Sequence, residues 1–168
     1  MSFREHRRDS SSLGRTSLAV AVHSRVHFTD KSRLTVAVQV ISDNDTATLL
    51  YHPESGIVHH ECHKFIFGEP LRALLMSGCD VLTKNHATKW LSDDRGNSAI
   101  GKEDTEWAQT VWFPTVKAAG WKHWAVVLPA KVVGQLNMKQ WVGLYSSLGI
   151  NAQVFSDPDE AMKWLIAQ

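Results

Sequence analysis

Thr88-Lys89-Trp90-Leu91-Ser92-Asp93-Asp94-Arg95-Gly96-Asn97 changes character at its middle. Ala87 to Leu91 has the make-up of a covered strand, and Ser92 to Asn97 is a dense polar loop. In an open α/β sheet, ligands bind beyond the carboxyl ends of the strands. Ser92, Asp93, Asp94, Arg95 and Asn97 are therefore the candidate binding residues, with Arg95 as the anion-pairing group and Asp93 and Asp94 as acceptors. Adjacent carboxylates point to different sides, so a metal here would need a ligand from elsewhere. The plainer reading has Asp93 and Asn97 bonded to their own loop and Arg95 paired with a carboxylate.

Downstream, Glu103 to Ala119 reads as a helix with a buried stripe of Trp107, Val111 and Trp112. Pro114 inside it predicts a kink or two pieces. Trp121 to Leu128 is the next strand, and its apolar run Trp124 to Leu128 suits a strand covered on both faces. A helical turn at Lys131 to Gln135 precedes a helix over Met138 to Leu148, opened by an Asn137/Gln140 capping box. Ile150 to Phe155 is the last strand. Asp157-Pro158-Asp159-Glu160 caps a final helix with Ala161, Met162, Trp164 and Leu165 on its inner face.

Upstream, Leu71, Leu74, Leu75, Cys79 and Leu82 recur at helical spacing behind Pro70, and Asn85 or His86 ends that helix. Thr46 to Tyr51 and Ile57 to Ile66, joined by the turn His52 to Gly56, form an antiparallel hairpin. The domain is expected to span 42–168. Residues 1–41 read as a tail, with 34–41 β-rich enough to add an edge strand. The resulting fold class is α/β, β-β-α-β-α-β-α-β-α, a mostly parallel sheet with one antiparallel member.

This order resembles the STAS domain, or SpoIIAA-like fold, and in particular small stand-alone bacterial STAS/SEC14-like proteins. The likeness covers Thr46 to Gln168. It is carried by the hairpin, Lys89 to Arg95, Trp107 to Pro114, Gly120-Trp121-Lys122-His123-Trp124-Ala125, and Val154 to Leu165. The resemblance implies a regulatory module that recognises a protein partner or small ligand, without catalysis. In anti-sigma factor antagonists of this fold, a serine at the end of the third strand is phosphorylated. Ser92 has that strand position here, but Asp93 and Asp94 follow it, and a phosphate beside two carboxylates would be repelled.

The alternative chemistry lies in His59-His60-Glu61-Cys62-His63. On a strand, His59, Glu61 and His63 share one face, where they could hold zinc in a small metal enzyme or metal protein. Val58, Cys62 and Ile66 mark the other face as core, which makes the His59 face an ordinary polar exterior. A lipid-like apolar ligand over the Trp residues is a further alternative, although a domain this small leaves little room for it. Trp107, Trp112 and Trp164 fit core stripes, and Trp121 and Trp141 are less settled.

Composition narrows the classes. Residues 1–34 carry seven Lys/Arg against three Asp/Glu, and the remainder eleven against fourteen, so the folded part is mildly acidic and no nucleic-acid partner is expected. No apolar run is long enough to span a membrane. The two cysteines, Cys62 and Cys79, show no disulfide or metal spacing, and fit a reducing cytoplasm. No nucleotide, hydrolase or zincin motif is present, so no cofactor is expected. A homo-oligomer is compatible with all of this.

Overall fold

A computed structural model describes residues 37–168. The expectations for residues 1–36 lie outside it. The sheet has six strands in sequence order: β1 (Gln39–Asp43), β2 (Ala47–His52), β3 (Ile57–Cys62), β4 (Lys89–Asp93), β5 (His123–Val127) and β6 (Asn151–Phe155). β1–β2 and β2–β3 pair antiparallel, and β3 to β6 run parallel. β1 is the added edge strand. It continues through Ser42 and Asp43, two residues past the expected end at Ile41, because both pair with β2 across an irregular register. The sheet is thus mixed, with β2 as its one antiparallel member, paired on both sides.

β5 sits inside the sheet with Trp124, Ala125, Val126 and Val127 buried, as its continuous apolar run requires. β4 reaches two residues beyond Leu91. Ser92 pairs with His60 and Val126, and Asp93 with Glu61 and Val127, so its neighbours hold this polar end in the ladder.

One sheet face carries Leu49, Val58, Trp90, Trp124 and Val126, and it packs on the crossover helices. These are α1 (Gly68–Lys84), α2 (Lys102–Trp107) with its continuation α3 (Phe113–Ala118), and α4 (Val132–Ser147). The opposite face carries Ile57, Leu91, Ala125 and Val127, covered by Ala161 and Leu165 of α5 (Pro158–Ile166). Asp157 caps α5 by accepting from the amides of Asp159 and Glu160 at 2.9 and 3.0 Å.

Two helix expectations need correction. Ala108–Trp112, between α2 and α3, is π-helical and leads into Pro114 in the first turn of α3. Proline has no amide for the preceding turn and its ring crowds that turn's carbonyl, and a wider turn accommodates both. The buried stripe becomes Asp104, Ala108, Trp112 and Val116, while Val111 is 43% exposed and Trp107 half-buried. The stretch from Lys131 to Leu148 is not a turn plus a capped helix. α4 runs through Asn137, whose Oδ1 instead accepts from the Ile100 amide at 3.1 Å. No helix among the described residues is long and apolar enough to cross a membrane.

Candidate functional site

Strand alternation divides the polar end of β4 between the two faces. Trp90, Ser92 and Asp94 turn toward the α1–α4 side, and Leu91 and Asp93 toward the α5 side. Arg95 follows Asp93. Its Nε lies 2.9 and 3.1 Å from the two Asp93 oxygens and its Nη2 2.7 Å from Oδ2, with Glu61 Oε1 3.8 Å away. This forked pairing raises the Arg95 pKa, chiefly through the hydrogen bonds from Asp93. Asp93 is buried and already occupies the guanidinium, so Arg95 is not a free anion receptor.

The other three candidate residues meet on the opposite face. Asp94 donates its amide to Val127 at 3.1 Å and accepts the Asn97 amide at 2.8 Å, which closes a turn over Arg95 and Gly96. Gly96 is required by close approach: a Cβ there would stand 2.2 Å from the Cys62 carbonyl oxygen. Asn97 ties the loop to the segment after β3, donating from Nδ2 to Asp94 Oδ1 at 3.3 Å and accepting from the Ile66 amide at 3.3 Å. Ser92 is buried and accepts the Trp124 indole N–H at 2.8 Å. In this arrangement its hydroxyl is closed to a kinase.

His60 joins them from β3. It shares strand parity with Val58 and Cys62, and it is buried. Its Nδ1 accepts the Trp90 indole N–H at 3.0 Å, and its Nε2 stands 3.7 Å from Asp94 Oδ1. The Cys62 thiol also reaches Asp94 Oδ1, at 3.6 Å. Burial, reinforced by the Asp94 charge, pushes that thiol well up, so it is a poor nucleophile.

His60, Cys62 and Asp94 are the one group of three metal-capable side chains that converge among the described residues, with ligand atoms within 4.8 Å of one another. The hydrogen-bond chemistry opposes a metal ion there. A metal-bound histidine donates its second ring N–H to an acceptor. Here the second nitrogen faces an indole, which only donates. Neutral His60 must then carry its hydrogen on Nε2, the atom turned to Asp94, and has no lone pair to offer.

His59, Glu61 and His63 do not form a metal set. His59 stacks on His52, their nitrogens 3.3 Å apart, and burial lowers its pKa to about 4. Glu61 lies toward Arg95, and His63 Nε2 is 2.9 Å from the Thr48 hydroxyl.

A cavity of about 50 Å³ opens beside this cluster. His60, Ser92, Asp94 and Asn97 form its polar end. Trp112, Trp124, Trp141 and Tyr145 form most of the remaining wall, with Leu71, Leu75 and Met138. Met138, Trp141 and Tyr145 follow one another along the inner face of α4. The Tyr145 hydroxyl is buried without a hydrogen-bond partner, and burial raises its pKa. At roughly 15 Å³ per water the cavity has room for a few waters or a small organic group, and none for a lipid chain.

His60 was missed by sequence reasoning, although a signal existed: a polar residue at a core-parity position calls for a partner. Tyr145 and Trp141 carried no signal beyond helical periodicity. No family model, curated protein or solved structure matches the chain.

Proposed function

We propose that this chain is a STAS-like, non-enzymatic binding module whose ligand is a small molecule held at the carboxyl end of β3, β4 and β5. The observation that carries the reading is the cavity itself, aromatic along its wall and lined at one end by His60, Ser92, Asp94 and Asn97. Binding pockets are mostly apolar with a few placed polar groups, and in α/β sheets they lie at strand carboxyl ends. Neither Ser92 nor Cys62 is an activated nucleophile at this place, which fits binding better than catalysis: Ser92 is hydrogen-bonded to Trp124, and the Cys62 thiol is held protonated. The test is a fragment screen followed on the indole N–H signals of Trp112, Trp124 and Trp141. Hits should lose binding in Ala108→Leu, which fills the cavity from the helix side. Hits that bind equally well to that variant would place the ligand elsewhere.

A protein partner is the second reading, favoured by apolar side chains left exposed at the same end of the sheet. Phe65 and Phe67 stack on each other after β3, and Val132, Val133 and Leu136 open α4, all substantially exposed. A second copy of the chain is the simplest partner to test. Sedimentation should show concentration-dependent association that Phe67→Ser weakens, and a monomer at all concentrations would exclude self-association.

A further inference from the structure

Building on the small-ligand reading, we propose that the cavity selects a small organic ammonium group, with Asp94 as its counter-charge and the surrounding indoles as its wall. Asp94 lacks a cationic partner. Its side chain is buried, and no lysine or arginine borders the cavity. The nearby guanidiniums are committed elsewhere, Arg95 to Asp93 and Arg72 to Asp104.

The donors that do approach Asp94 all approach one oxygen. Asn97 reaches Oδ1 at 3.3 Å, the weakly donating Cys62 thiol at 3.6 Å, and His60 Nε2 stands beyond hydrogen-bond range at 3.7 Å. No hydrogen bond from a described residue reaches Oδ2. A buried carboxylate calls for more donors than this, and the cavity beside it is where they would come from.

The remaining groups define the occupant. An ammonium donates to Asp94, whose second oxygen receives no hydrogen bond from a described residue. Any atom inside so small a space lies close to the rings of Trp112, Trp124 and Trp141, and aromatic faces attract cations within about 6 Å. An anion would meet the Asp94 charge with only neutral donors to offset it. An alcohol of the same shape could satisfy the hydrogen bonds, but would gain neither the ion pair nor the ring attraction. The volume limits the enclosed part to a few heavy atoms, so a longer amine would leave its tail outside.

Three probes of one size separate the outcomes: n-propylammonium, n-propanol and propionate, each titrated at neutral pH and followed on the indole N–H signals. The ammonium should bind at least tenfold more tightly than the alcohol, and propionate should not bind. Asp94→Asn should abolish its advantage over the alcohol, with undisturbed indole signals confirming the fold. If propanol or propionate binds as well as the ammonium, the charge assignment is overturned while the ligand cavity stands. If none of the three shifts the indoles of Trp112, Trp124 and Trp141, the cavity is filled by water alone and both readings fail.

Discussion

Gly78→Ala tests how tightly the core and the cavity are joined. Gly78 lies on the buried face of α1, and a Cβ there would stand 2.2 Å from Trp90 Cη2 and 2.7 Å from Cζ2. Ordinary contact begins near 3.4 Å, so the indole must retreat by about an ångström. It has nowhere easy to go. Trp90 is fully buried, meets Trp112 edge-on with ring centroids 5.7 Å apart, and is pinned by its N–H on His60. Overpacking of this kind costs about 1–3 kcal/mol. Disturbing the indole hydrogen bond adds about 1 kcal/mol, and alanine returns about 1 kcal/mol of helix propensity. The net expectation is destabilisation by about 1–3 kcal/mol in urea unfolding, with altered near-ultraviolet circular dichroism from the indoles. Combining it with Trp90→Phe, which removes the clashing atoms, should give less than the sum of the two losses, with a coupling near 1 kcal/mol. If Gly78→Ala is as stable as the parent or more so, helix propensity decides the site, and the pinned-indole reasoning is refuted.

Further outcomes follow from other contacts. His59 stays neutral in the fold until about pH 4 while its unfolded value is near 6.5, so the unfolded chain binds the proton first. Stability should therefore fall as pH drops below 6.5, level off below 4, and lose roughly 3 kcal/mol from this group. A His59→Asn variant with the same pH slope would assign the loss to other residues. Asp157→Ala removes both cap bonds of α5 and should cost about 1 kcal/mol, read as a lower unfolding midpoint; an unchanged midpoint would mean that packing alone holds the helix. His86 ends α1 at a φ of 51°, so His86→Gly should add about 1 kcal/mol, and a loss of stability would point to a contact made by the imidazole. Nitrogen-detected spectra should show neutral His60 with its proton on Nε2 and no change on adding zinc, whereas a zinc-dependent shift would overturn the tautomer argument.

Much of the fold was legible where a single physical signal dominated. The apolar run at Trp124 marked a strand covered on both faces, and Asp157-Pro158 marked a helix start that tertiary packing had no reason to override. Boundaries failed where neighbours decided them. Ser92 and Asp93 look like loop residues in isolation, and become strand because β3 and β5 present matching hydrogen bonds on either side. Asn137 resembles a helix cap, but its oxygen is claimed by a backbone amide 37 residues away in sequence. The stripe through Trp112 moved because Pro114 widened the preceding turn, and no periodicity count taken at 3.6 residues per turn anticipates that.

The site was legible as a place rather than as a set of groups, and strand parity explains the difference. Ser92, Asp93, Asp94 and Arg95 are contiguous, so any reading by proximity in sequence treats them as one constellation. Alternation makes them two. Asp93 and Arg95 neutralise each other on the α5 side, and that pairing takes up the charge that drew attention to Arg95. Ser92 and Asp94 face inward, where the residues they meet come from β3, β5 and α4. The same parity moves the histidine of interest by one position. His59 shares the outer face with Glu61, whereas His60 shares the inner face with Cys62 and Asp94. A polar residue sustained at a core-parity position needs a partner, and His60 has one on each side: an indole that fixes its tautomer and a carboxylate that lies just out of reach. That gap leaves Asp94, which lines the cavity, short of donors. A part-paired carboxylate there carries a desolvation cost that the bonds from Asn97 and Cys62 only partly offset. With Asp94 beside a cavity walled by indoles, that shortfall is the strongest physical reason to look for an occupant.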